Sequence, residues 1–159
     1  MPSTPLVDFS RINIEDTLYD AGEILDYIPH RFEMVQIDRI VAFNPDEGIV
    51  VGTKVVCEDE FWVPGHIPGR PIMPGVLLLE ASAQLCTFFF RRALDPDPEK
   101  FFGFGKIDDV RFRGVAVPGD MVVFAAKLIR TRRSMAFFTT QAFVDGLMIY
   151  EGEIMGSIL

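Results

Sequence analysis

The sequence predicts an α+β fold in which an antiparallel sheet wraps one long central helix. Three observations carry this. A single run, Gly75 to about Ala93, is apolar nearly all round and long enough for a buried helix. Six other stretches are rich in β-branched and aromatic residues and are separated by Pro, Gly, Asn and Asp. The chain has 159 residues, of which 49% are hydrophobic and 24% charged, which suits one core and rules out a disordered chain.

Residues 1–19, with Pro2, Pro5 and no clear periodicity, read as a loosely ordered extension, and 20–159 as a single domain. Asp20 caps a short helix whose apolar stripe is Ile24, Leu25 and Ile28, and Pro29 stops it. Residues 33–43 and 48–57 read as two strands joined by the turn Asn44-Pro45-Asp46-Glu47-Gly48. The stretch from Val63 to Pro71 holds too much Pro and Gly to be regular. Pro74 stands where a first-turn proline is tolerated, so the long helix starts at Gly75, and Asp95-Pro96-Asp97-Pro98 ends it. Strands follow at 101–117, 120–132, 135–144 and 147–158, with Asp145-Gly146 as a tight hairpin turn.

Charge and composition narrow the function. The net charge is -8, which argues against general nucleic-acid binding. The acidity is N-terminal: residues 1–60 carry 13 acids and 4 bases, whereas 61–159 carry 10 acids and 11 bases. Cys57 and Cys86 form no Cys-x-x-Cys pair, and no apolar run reads as a secretion signal or membrane span, so a cytoplasmic location is expected. With 15 Phe residues, apolar surface is expected to lie against another subunit or a ligand.

Between Gly75 and Phe90 the only ionisable acid or base is Glu80. A carboxyl in an apolar helix is costly to ionise, and burial raises its pKa toward the range of a general acid. The alternative is a wetted stripe or a structural ion pair. Gln84, one turn on, is placed to hold that carboxyl. His66, in a loop shaped by Gly65, Pro68, Gly69 and Pro71, is a candidate base, although a loop histidine is commonly just exposed. His30 looks less specific, and no third ligand at metal spacing accompanies His66 and Glu80, so neither a metal nor another cofactor is expected. The free N–H groups of Gly75 and Val76 at the helix start suit an oxyanion. Ser82 lacks a nucleophile-elbow setting, and Cys86 reads as a packed, inert thiol.

From Gly65 to Gln84, with His66, Gly75 and Glu80 in register, the sequence closely resembles the (3R)-hydroxyacyl-[acyl-carrier-protein] dehydratases of bacterial type II fatty-acid synthesis, which have the hotdog fold. Weaker likeness runs from about Ile24 to Ile158, including Ile28-Pro29-His30-Arg31, Ile37-Asp38-Arg39, Gly105-Lys106-Ile107-Asp108 and Pro118-Gly119-Asp120. The resemblance implies that His66 and Glu80 face each other across a dimer interface and that Gly75 N–H is the oxyanion donor. It further implies removal of water from a carrier-bound 3-hydroxyacyl thioester by a homodimer or a trimer of dimers. Glu80, where a bifunctional branch has Asp, points to dehydration without isomerisation. The sequence departs from the family at Glu33, Gln36 and Val115, all expected outside the site. Phe88, Phe89 and Phe90 are expected at an acyl tunnel or subunit contact. Arg70, Arg111, Arg113, Arg130, Arg132 and Arg133 are candidates for docking an acidic carrier protein, against the plainer reading of a solvated strand face. A related thioesterase, an enoyl-CoA hydratase and a non-catalytic acyl-binding subunit are the alternatives.

Overall fold

The computed structural model describes residues 3–159. A short helix α1 (Ala21–Ile24) is followed by strands β1 (Arg39–Asn44) and β2 (Ile49–Val55). The long helix α2 (Gly75–Ala93) comes next, then β3 (Phe102–Phe112), β4 (Met121–Arg132), β5 (Met135–Val144) and β6 (Leu147–Ile158). All strand pairs are antiparallel, in the order β1-β2-β4-β5-β6-β3, so β1 and β3 form the edges. The sheet curls around α2, and every α2 residue from Ala81 to Phe90 is buried. Phe88 packs edge-on against Tyr19 and Tyr27, and Phe89 against Phe138. Aromatic area of this size supplies much of a small domain's hydrophobic stabilisation. Arg91 and Arg92 in the last turn complement the negative end of the helix dipole.

The predicted element order and antiparallel wrap hold, with local differences. Asp20 caps α1 through a full capping box with Glu23, but α1 is one turn long. Asp145 and Gly146 both have positive φ, as a two-residue hairpin turn requires. β1 begins at Arg39 rather than near residue 33, because the preceding segment bonds to the helix instead of the sheet. Gln36 N–H donates to Gln84 Oε1 at 2.8 Å, and Gln84 Nε2 donates to Met34 O at 2.6 Å. β3 ends at Phe112, five residues earlier than expected. Beyond it, Arg113 and Gly114 N–H still reach Ile149 O, and the chain then turns back so that Met73 N–H donates to Ala116 O beside the start of α2.

The N-terminal segment, expected to be loosely ordered, is a strap across the sheet face opposite α2. Alternation places Val41, Val51, Val123 and Ala125 on that face, and Val7, Leu6, Phe9, Ile12 and Ile14 cover them. Phe9 meets the Phe143 ring edge-on at 4.9 Å. The buried side chain of Gln141 accepts from Leu6 N–H at 2.8 Å and donates to Thr4 O at 3.0 Å, and Ser3 Oγ donates to Glu151. A polar group enclosed on a sheet face is tolerated when its hydrogen bonds are made. Gln141→Ala should therefore lower the unfolding free energy in urea by about 1–3 kcal/mol and speed hydrogen exchange at the Leu6 amide. Unchanged exchange there would show that apolar contact alone holds the strap.

Candidate active site

His66 sits on a loop hung from the buried Trp62, whose carbonyl accepts from Gly65 N–H at 3.2 Å and His66 N–H at 2.7 Å. Ile67 has φ 58° and Gly69 φ 80°, so the loop takes two left-handed residues to turn. His66 Nδ1 lies 2.7 Å from Ile72 O. A carbonyl only accepts, so Nδ1 carries the hydrogen, and in the neutral imidazole Nε2 is the lone-pair nitrogen. That is the tautomer of a base.

α2 opens without a side-chain cap at Pro74. Leu77 N–H returns to Pro74 O, leaving the Gly75 and Val76 N–H groups without a partner among the described residues. These donors suit a developing oxyanion. A Cβ at Gly75 would lie 2.9 Å from the Phe112 ring, so the close approach that demands glycine is by Phe112.

Glu80, one and a half turns along, accepts from His30 Nε2 at 2.9 Å and from Gln84 Nε2 at 2.9 Å. Burial works to raise its pKa, but the hydrogen bonds from His30 and Gln84 and the charge of His30 outweigh it and hold the carboxyl below its usual range. The expected upward shift is therefore reversed. Its cause is His30, which the sequence ranked as unspecific; the only signal was its place in Pro29-His30-Arg31, and a loop position gives no hint of a helix partner. Arg31 fixes that loop by donating to Leu25 O, Ile28 O and His30 O. Gln36 also proves close to the site, since its backbone N–H binds the amide that holds Glu80.

Within one chain His66 and Glu80 do not meet; each has only its own partners among the described residues. Gly75, Val76, Glu80 and Gln84 share the first half of α2. Phe88 and Phe89 are wholly enclosed in the protomer core, which excludes them from a subunit contact, while Phe90 stacks on Phe102 at 4.0 Å. Of the arginines, Arg111 and Arg113 both pair with the buried carboxylate of Glu151, and Arg130 lies over the Phe137 ring at 3.8 Å. Arg70, Arg132 and Arg133 are exposed, with no ion pair among the described residues. Ser82 Oγ donates to Leu78 O, and burial pushes the Cys86 thiol well up, so neither is poised as a nucleophile.

The His30 contact makes Glu80 ionise more readily in the folded chain, so it adds stability above the usual carboxylate pKa, which is lost as pH falls through the lowered folded value. His30→Ala should move the Glu80 carboxyl titration, followed by carbon NMR, to higher pH. A midpoint that stays put would show that the pair does not form in solution.

Comparison with known proteins places this geometry in a family. The family model for the FabA-like domain matches residues 28–153. The 3-hydroxyacyl-[acyl-carrier-protein] dehydratase FabZ of Desulfotalea psychrophila is 38% identical over 139 residues, covering 87% of this chain and 92% of that protein. The FabZ of Shewanella oneidensis is 41% identical over 139 residues, covering 86% and 90%. Among solved structures, the dehydratase heterocomplex ApeI:P from Xenorhabdus doucetiae matches with TM-score 0.70 at 15% identity, covering 86% of this chain and 90% of that one. The PaaI protein of E. coli matches with TM-score 0.59 at 12% identity, covering 74% and 80%, a likeness of fold alone. An antiparallel sheet wrapped on one helix, with the dehydratase relatives matched over most of their length, makes this chain a member of the FabA-like family of hotdog-fold proteins.

Proposed function

We propose that this chain is a hydro-lyase that dehydrates (3R)-hydroxyacyl thioesters, carried on acyl carrier protein, to trans-2-enoyl thioesters. The observation that carries the reading is the His66 Nδ1 contact with Ile72 O, which leaves Nε2 as a base aimed from a rigid loop. In this reading Nε2 takes a proton from C2 of the substrate, and the thioester oxygen is steadied by the Gly75 and Val76 N–H groups. The C3 hydroxyl leaves as water with the proton shared between His30 Nε2 and Glu80 Oε1. The C2 electron pair becomes the new double bond. Passing the His66 proton to solvent and reprotonating the pair resets the site.

In this reading a second copy completes the site, which the lack of a common contact between His66 and Glu80 within one chain supports. Edge strand β3, with Phe104, Ile107 and Phe112 exposed along it, supports antiparallel pairing with a second copy. A carrier protein is acidic, and Arg70, Arg132 and Arg133 are the cations left to meet it. The strap gives Glu151, with Arg111 and Arg113, a role in holding the sheet instead.

Glu80→Gln and His66→Ala should each lower kcat for a 3-hydroxyacyl carrier thioester by about a hundredfold or more with the fold intact, read as loss of enoyl absorbance. Turnover near wild type in either variant removes that residue from the mechanism. Release of free thiol without enoyl product would assign a thioesterase.

A further inference from the structure

Lys54 is the only lysine or arginine buried among the described residues, and the dehydration chemistry makes no use of it. Its place in β2 explains the burial. A Cβ at Gly52 would touch Leu85 of α2, so Gly52 faces the helix, and strand alternation points Lys54 to the same side. The backbone there is fixed, because Lys54 lies opposite Val122 in the ladder between β2 and β4. An ammonium group in such a setting needs a counter-charge. Glu60 supplies it: Lys54 Nζ lies 2.8 Å from Glu60 Oε1, and the two side chains are only 7% and 11% exposed.

Glu60 is also where the loop that carries His66 begins to turn. Its Oε1 accepts from Cys57 N–H at 3.4 Å, and its carbonyl accepts from Val63 N–H at 3.0 Å. The next turn hangs from the buried Trp62, whose carbonyl holds the Gly65 and His66 N–H groups. The ion pair thus ties the base of a Pro- and Gly-rich loop to a rigid strand, and Trp62 carries the tie to the His66 backbone. The imidazole is held from its other side by Ile72 O, and that contact returns to the same strand end. Met73 N–H donates to Ala116 O, and the loop containing Ala116 is fastened just past β2 by Val56. There Val56 N–H donates to Asp120 O at 2.9 Å, and Val56 O accepts from Gly119 N–H at 2.8 Å. Both routes to the His66 ring therefore start at the end of β2, one at Lys54 and the other at Val56.

We propose that Lys54 and Glu60 are positioning residues for His66, their buried ion pair fixing the loop at the place from which Nε2 reaches the substrate. The inference rests on the thioester reading above and adds a pair that acts without touching the reacting atoms. A surface ion pair is too weak to fix a loop, whereas a charge enclosed as these are parts from its partner only at heavy cost. The precision matters, because a misplacement of about 1 Å at a reacting group lowers a rate by about a hundredfold.

The test is the double variant Lys54→Met with Glu60→Met in the full chain, which removes both charges together and leaves neither buried alone. Two readings are taken: kcat and KM with a 3-hydroxyacyl carrier thioester, and, without substrate, the nitrogen NMR shifts of the His66 ring with the solvent exchange of its Nδ1 hydrogen. With far-UV circular dichroism unchanged, kcat should fall about tenfold to a hundredfold while KM stays within about threefold. The Nδ1 hydrogen should exchange faster, and the ring nitrogens should move toward the averaged shifts of mixed tautomers. Glu60→Gln keeps the size of the side chain and one acceptor for Lys54, so it tests the tie even if the double variant folds poorly, with the same changes at smaller size. A ring signature that neither variant changes, whatever the rate does, overturns the assignment, and so does a changed signature with wild-type kcat. A changed signature in a protein that makes no enoyl product upholds the tie and refutes the dehydratase reading instead; enoyl product with an unchanged signature does the reverse.

Discussion

One buried amide holds the half-site together. Gln84 accepts from Gln36 N–H and donates to both Met34 O and Glu80 Oε1, so its carbonyl and its amino group are all engaged at 2.6–2.9 Å. Because it sits on a helix enclosed by the sheet, it cannot swing away without leaving polar atoms unsatisfied in an apolar setting. The segment before β1 gives up ladder hydrogen bonds to meet it. The loop from His30 to Gln36 is thereby drawn over α2, and His30 comes within hydrogen-bond reach of Glu80. The position of the carboxylate and its hydrogen bonds both follow from this joint.

The same joint alters the acid chemistry. A carboxyl in an apolar helix would stay protonated if nothing met it, yet here His30 and Gln84 outweigh the effect of burial. In the proposed mechanism the acid is then a hydrogen-bonded histidine–carboxylate pair rather than an isolated glutamic acid. On the other side of the chemistry, Ile72 O selects the tautomer of His66. The tautomer of one side chain and the position of the other are thus set by a backbone carbonyl and a neighbouring loop.

Much of this was legible in the sequence because it is local. The all-round apolar character from Gly75 to Ala93 marks the buried helix, Asp145-Gly146 marks its hairpin, and Glu80 and Gln84 at one-turn spacing predict their own hydrogen bond. What depends on distant pairing was not legible. The strap of residues 3–18 mixes apolar and charged residues without a clear period, and only the outer sheet face with Gln141 gives it a place. His30 lies 50 residues from Glu80 in sequence, and nothing in a Pro-His-Arg loop names its partner. Phe88 and Phe89 were read at an acyl tunnel or subunit contact because an aromatic run has no sign for inside or outside; Tyr19, Tyr27, Phe43 and Phe138 enclose them in the protomer core.

The central claim is that each chain carries half of two sites, His66 for one and Glu80 for the other. Mixed dimers test it most directly: His66→Ala and Glu80→Gln chains bearing different tags, co-expressed and purified through both tags in turn. A shared site predicts that a dimer of two individually inactive chains recovers about half of the wild-type rate, because one of its two sites then has both residues intact. Mixed dimers no more active than either parent would place both residues in the service of a single chain and contradict the account.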